Sequence, residues 1–179
     1  MNALLIYPKI PNTFWSFNYA VKFLKRKSAF PPLGLLTVAK MLPQNWTLKM
    51  VDMNVESLKK KDILWADIVF ISAMTIQRES VLNVINLCKN FNKKTVAGGP
   101  LFTSEPFNFG EIDHLVLNEA EITLPQFLSD FERGEAKKIY STDDFAEIEN
   151  TPAPLHSILK LKKYASMSIQ YSRGCPFNC

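Results

Sequence analysis

Cys175 and Cys179 form a C-x3-C pair at the C-terminal end of the chain, in a loop built from Gly174, Pro176 and Asn178. Thiolates brought together on such a loop can ligate iron, and a cysteine-bound cluster takes three or four of them. Two do not complete a cluster, and an incidental pair in a tail is the alternative reading. Because Cys179 is the last residue, the chain is expected to be cut inside a motif. Three further groups carry chemistry-bearing types directly after short apolar runs: Ser72-Ala73-Met74-Thr75, Gly98-Gly99-Pro100 and Asn118-Glu119-Ala120-Glu121. Paired glycines at such a place remove side chains where a flat ligand or its tail can approach the backbone; a tight turn is the other explanation. The hydroxyls of Ser72 and Thr75 can cap a following helix or bond a ligand.

The elements that position these groups alternate between buried strands and helix-period segments, as in a parallel sheet with helices on both faces. Strands are expected at Ala3 to Tyr7, Thr47 to Met53, Asp67 to Ile71, Thr95 to Ala97 and His114 to Leu117. Helices are expected around Tyr19 to Lys27, from Pro32 to Leu42, from Ile76 to Asn90 and from Thr123 to Glu132, the last stopped by Gly134. Cys88, inside the third of these helices, is expected to pack in the core. Five strands with four crossovers fit an α/β, flavodoxin-like doubly wound sheet in the order 2-1-3-4-5. In such a sheet ligands bind beyond the carboxyl ends of the strands, where the three groups lie. Residues 1–140 are expected to form this domain, and the acidic, proline-containing stretch 141–165 a linker. The alternating stretch Ser166-Met167-Ser168-Ile169-Gln170-Tyr171 is expected as the first strand of a second domain that begins over residues 166–179.

Composition narrows the functional classes. With 179 residues, 47% hydrophobic and 21% charged, the chain can build one ordinary core, which excludes a disordered or collagen-like polymer. No apolar run approaches the roughly 20 residues that span a bilayer, and the N-terminus has neither a basic leader nor a small-residue cleavage site, so a cytoplasmic protein without a transmembrane segment is expected. The net charge of +4 comes from scattered groups such as Lys25-Arg26-Lys27 and Lys59-Lys60-Lys61, without aromatic interleaving. These read as a solvated surface, and no nucleic-acid partner is expected. Neither G-x-G-x-x-G after the first strand nor G-x-x-x-x-G-K-[ST] occurs, which disfavours dinucleotide and P-loop sites. A receiver-type phosphorylation domain needs acidic residues where Tyr7-Pro8 and Ser72 stand.

Tyr171-Ser172-Arg173-Gly174-Cys175-Pro176-Phe177-Asn178-Cys179 resembles the opening of the C-x3-C-x2-C motif of radical S-adenosylmethionine (SAM) enzymes. The upstream unit resembles the cobalamin-binding domain that precedes the radical SAM barrel in one large subgroup. Ser72 stands where that family has S-x-L, with Met74 replacing Leu; Gly98-Gly99 matches its Gly-Gly turn. Asn118-Glu119-Ala120-Glu121 is similar to its G-E-x-E segment, with Asn in place of the first Gly. Asn is the residue best able to share glycine's left-handed backbone. Pro11-Asn12-Thr13-Phe14-Trp15-Ser16-Phe17, Ala29-Phe30-Pro31-Pro32-Leu33-Gly34 and Val51-Asp52-Met53-Asn54 resemble the branch that includes hopanoid C-methylases.

The resemblance implies cobalamin against Ser72, Ala73, Met74, Thr75, Gly98, Gly99, Pro100 and Glu119. Trp15 either shields a corrin face or serves a core or domain contact. It implies a [4Fe-4S] cluster on Cys175, Cys179 and a third cysteine that follows after two further residues, with SAM on the remaining iron. Reductive cleavage of SAM would give a 5'-deoxyadenosyl radical, and methylcobalamin would deliver methyl to an unactivated carbon of a small-molecule or lipid-like substrate held by the barrel. A non-methylating relative such as an oxidative cyclase, and a docking module that has lost cofactor binding, are the alternatives. Many cobalamin domains carry D-x-H-x-x-G after the first strand. Here no His precedes His114, so that loop offers no imidazole, and His114 and His156 are expected to be structural.

Overall fold

The computed structural model describes residues 1–13 and 16–174. Six parallel strands form one sheet in the order β2-β1-β3-β4-β5-β6: β1 (Asn2–Tyr7), β2 (Thr47–Asp52), β3 (Ile68–Ser72), β4 (Lys94–Gly98), β5 (His114–Val116) and β6 (Ile139–Tyr140). The helices are α1 (Asn18–Phe23), α2 (Leu33–Met41), α3 (Lys60–Trp65), α4 (Arg78–Asn90), α5 (Pro100–Ser104) and α6 (Ala120–Arg133). The expected doubly wound α/β architecture and strand order are present.

Continuous apolar strands are what a sheet covered on both faces requires. Strand alternation divides β1 between two core layers. Leu4 and Ile6 join Ile71, Val84 and Cys88 beneath α4, whereas Ala3 and Leu5 join Phe70, Val96, Leu36 and Phe127 beneath α2 and α6. Cys88 is fully buried, and burial pushes its thiol up to about 12.

Several elements differ from the sequence reading, each for a local reason. The sheet has a sixth strand, β6, whose two residues pair with Leu115 and Val116; a strand that short carries no periodicity to read. It is pinned from the side by the Tyr140 hydroxyl, which donates to Asp130 at 2.9 Å and accepts from the Lys137 N–H at 2.8 Å. The run Lys59-Lys60-Lys61 opens α3, where the Asp62 carboxylate accepts from the Lys59 N–H at 2.9 Å and from Lys49 at 2.6 Å. The helix α1 ends at Phe23, short of Lys27, because Lys25 turns into the left-handed region at φ 52°. The helix α6 begins at Ala120, three residues earlier than expected.

Residues 166–170 do not join the sheet or any ladder among the described residues. Their alternation lays out Met167 and Ile169, and Tyr171 beyond them, 60%, 85% and 94% exposed, with no strand beside them to pair with.

The stretch 141–165 folds back over the domain. The Leu155 N–H donates to the Leu36 carbonyl at 3.1 Å, and Ile158 and Leu159 pack on the α2 side of the core. Tyr164 is buried, forms a bridge with Ser28, and donates its hydroxyl to Asp52 at 2.9 Å. This strap therefore lies against the outer side of β2.

Candidate functional site

Ser72 closes β3 and Gly98 closes β4, and the two are paired in register. Alternation places Phe70 and Ser72 on the α2 and α6 side and Ile71 and Ala73 toward α4. On the Ser72 side, at the carboxyl ends of β3, β4 and β5, lies a cavity of about 230 Å³ bounded by the starts of α2 and α6. Its floor is apolar and buried, with Val96, Val116 and Leu124; Ser72, Gly98, Gly99, Asn118 and Glu119 supply polar atoms and open backbone.

Both glycines are required by geometry. A Cβ on Gly98 would stand 2.4 Å from the Val116 carbonyl oxygen. Gly99 has φ +92°, and a Cβ there would meet the Ser72 hydroxyl oxygen at 2.9 Å. The pair lets β4 pass close to β5 and β3 while leaving the cavity wall bare. Asn118 adopts φ 60°, the left-handed conformation that its replacement of glycine calls for, and its side-chain amide donates to the Thr142 carbonyl. Gly34, in the first turn of α2, also lines the cavity, and a Cβ there would meet only open space.

Of the residues singled out in the sequence, Ser72, Gly98, Gly99 and Glu119 come together at this cavity. Ala73 is buried on the opposite face, where its carbonyl accepts from the Leu101 N–H at 3.0 Å. Met74 is 40% exposed; its N–H donates to Gln77 at 2.8 Å at the head of a single 3-10 turn, Thr75–Gln77. Thr75 and Pro100 are exposed at the strand tips, Pro100 as the first residue of α5. Trp15, Cys175 and Cys179 lie outside the described residues. Among the described residues no three His, Cys, Asp or Glu side chains assemble as a metal site.

Two contributors, Arg173 and Gln170, were not singled out by sequence reasoning. Arg173 donates to Glu119 and, at 2.7 Å, to Glu121, both at the start of α6, and donates to Gln170 at 3.1 Å. Burial raises the Glu121 pKa, but the hydrogen bonds from Arg173, its own backbone and Thr151, with the Arg173 charge, carry it below the ordinary value. The Glu121 bond pushes the Arg173 guanidinium above its ordinary range. Glu121, Gln170 and Arg173 also line the cavity. The spacing of 52 residues between Glu121 and Arg173 is the reason no local pattern reveals the pair.

The loop after β1 is held from three directions. The Pro8 carbonyl accepts from Gln77 and Asn54, the Lys9 N–H donates to Ser80 at 2.9 Å, and the Ile10 N–H donates to Asn54 at 2.8 Å. Both histidines stand away from this loop and from the cavity lining. His114 is buried in β5, with Nδ1 2.6 Å from the Lys137 carbonyl and its ring 5.2 Å from that of Phe127, a structural role. No helix among the described residues is long and apolar enough to cross a membrane.

Comparison with known proteins gives the arrangement a context. The model of the B12 binding domain matches residues 20–128. An uncharacterized methyltransferase of Synechocystis sp. is 45% identical over 182 residues, covering 100% of this chain and 34% of the relative. The hopanoid C-2 methylase of Rhodopseudomonas palustris is 30% identical over 98% of the chain and 34% of the relative. The bacteriochlorophyllide d C-8(2)-methyltransferase of Chlorobaculum tepidum is 27% identical over 82% of the chain and 34% of the relative. The chain thus spans about a third of the length of these curated relatives.

Proposed function

The chain belongs to the B12-binding domain family, and from that premise we propose that it holds cobalamin for a methyltransferase, with the cofactor's nucleotide tail in the cavity beside Ser72 and the corrin across the strand tips. The observation that carries this reading is the cavity itself: an apolar floor of Val96, Val116 and Leu124, a hydroxyl at Ser72, and a wall made bare by Gly98 and Gly99. These residues fit the group, because an aromatic base needs apolar walls and a placed donor, and its linker needs backbone without side chains. Ser72 would donate to a ring nitrogen of the base. Met74, Thr75 and Pro100 would form the rim under the corrin, Glu119 would meet the tail at the start of α6, and Trp15 would shield one face of the ring; Ala73, buried on the α4 side, would not reach it.

Bound cobalamin supplies a methyl group carried on cobalt. The chain's own residues bind, orient and exclude water. The loop after β1, fixed by Asn54, Gln77 and Ser80, would cover the lower face with apolar and backbone groups in place of an imidazole.

The finer reading is that of a radical SAM methyltransferase acting on an unactivated carbon. Cys175 and Cys179, with a third cysteine, would hold a [4Fe-4S] cluster that takes SAM. A barrel beginning over residues 166–179, joined to domain 1–140 by the stretch 141–165, would admit a small-molecule or lipid-like substrate. A cysteine-ligated cluster and a free Cys88 thiol would fit a reducing compartment, which supports a cytoplasmic location.

The test is titration of the chain with hydroxocobalamin. A retained complex with altered visible absorbance is expected, and uptake should weaken in Gly34→Phe, which adds a ring at the cavity wall where a Cβ meets no atom within 4 Å. A folded chain that takes up no cobalamin would instead indicate a docking module.

A further inference from the structure

We propose that the cavity selects its corrinoid by the base on the nucleotide tail: it accepts a benzimidazole, apolar apart from one free ring nitrogen, and discriminates against a purine of the same bicyclic shape. The inference rests on the cofactor reading above and adds to it the class of ligand taken and the residues that choose it.

The floor offers no side chain that can hydrogen-bond. Val96, Leu35 and Leu124 are at most 2% exposed, and with Phe70 and Val116 they belong to the core layer beneath α2 and α6. The polar side chains of the lining are, with one exception, already engaged by the protein. The Thr37 hydroxyl donates to the Leu33 carbonyl at 3.2 Å, the Asn118 amide donates to the Thr142 carbonyl, and Glu119, Glu121 and Gln170 accept from Arg173. Among the described residues, the exception is Ser72, whose hydroxyl has no protein partner. Backbone close by is engaged as well: the Gly99 carbonyl accepts from the Phe102 and Thr103 N–H groups, both at 3.1 Å, and the Glu119 carbonyl accepts from those of Ile122 and Thr123.

One free hydroxyl above an apolar floor is matched by a ring with one free nitrogen. A benzimidazole joined to its sugar through one nitrogen keeps the other for Ser72, and its remaining edge carries no polar atom. Adenine in the same place also keeps a nitrogen for Ser72, but it adds two ring nitrogens and an amino group. Those groups would leave water for a floor without partners, and a polar group buried that way forfeits its hydrogen bonds. Apolar pockets reject such isosteres by up to about 100-fold, which sets the scale of the preference. Val96 and Val116 are its determinants. Each differs from threonine by a methyl in place of a hydroxyl, so a partner for the purine can be added there with the outline of the floor kept.

The test is equilibrium binding to the full chain, read from visible difference spectra, of three corrinoids in the same cobalt state: hydroxocobalamin, its analogue with adenine in place of dimethylbenzimidazole, and cobinamide, which has no nucleotide. The wild type should bind hydroxocobalamin about 10- to 100-fold more tightly than the adenine analogue, and cobinamide more weakly than hydroxocobalamin. In Val96→Thr and Val116→Thr the ratio of the first two affinities should fall at least about threefold. A merely structural defect would weaken both ligands together and leave that ratio where it was. Should a threonine variant fail to fold, the other variant and the wild-type ratio carry the test. Equal affinity for the two bases, or tighter binding of adenine, with cobinamide weaker than both, would overturn the selection alone. A ratio unmoved by either threonine would overturn the assignment to Val96 and Val116. Cobinamide bound as tightly as hydroxocobalamin would overturn the placement of the tail, and a wild type that takes up none of the three would overturn the cofactor reading; the selection falls with either.

Discussion

Asp52 is 3% exposed, and its carboxyl titrates against its surroundings. Burial raises it above its ordinary 3.8, only partly offset by hydrogen bonds from Asn54 and Tyr164. The native state then binds more protons than the unfolded chain between 3.8 and the raised value. Its contribution to stability is full below 3.8 and is lost as pH rises through that window. Glu121 has the opposite sign: its native value is below 4.5, so its contribution is present above 4.5 and lost as pH falls. Denaturation midpoints measured against pH should show Asp52→Asn flattening the first slope and Glu121→Gln the second. A dependence unchanged by either substitution would contradict these environments. Conformation supplies a separate prediction at Asn118, where φ is 60°. Asn118→Val should cost at least about 1–2 kcal/mol in urea denaturation, because a β-branched residue resists the left-handed region, whereas Asn118→Gly should come close to the wild type. Ser72→Ala should leave stability nearly unchanged and weaken hydroxocobalamin binding by a few-fold, the worth of about one hydrogen bond of 0.5–1.5 kcal/mol.

The two-residue strand β6 depends on one side chain more than on its own pairing. Tyr140→Phe removes both hydroxyl bonds, to Asp130 and from the Lys137 N–H, and should destabilise the domain by about 1–2 kcal/mol. Amide exchange at Leu117, whose N–H donates to the Tyr140 carbonyl at 2.8 Å, should rise first. Strands β1 and β3 and helix α4 were legible in the sequence because burial on both faces writes a continuous apolar run, and burial on one face writes a 3.6 period. Ser72, Gly98 and Glu119 were legible as candidates for the same reason: once the strands are placed, their ends are placed. Neither β6 nor α5 is long enough to write a period, and α3 begins on three lysines that read as surface. The cavity's charged rim was hidden because Arg173 reaches α6 through space, and the alternating run before it suggested a strand that finds no partner among the described residues.

Over the whole molecule, two core layers share one sheet, and the strap is fastened on the α2 side at two distant points, Leu155 to α2 and Tyr164 to the end of β2. Tyr164→Phe leaves Asp52 with one hydrogen bond fewer in a buried place, and a loss of roughly 1–3 kcal/mol is expected, read from thermal unfolding. Trypsin should then cut faster at Lys160, Lys162 and Lys163, because the strap loses an anchor. The strap has a further effect that follows from strand order. With β2 outermost, its free row of backbone N–H and C=O groups is a template for another chain, and the strap faces it across a cleft that both line. A polypeptide shortened to its first 140 residues would keep all six strands yet bare that row, and it should self-associate through added β-structure and scatter light at concentrations where the longer chain stays clear.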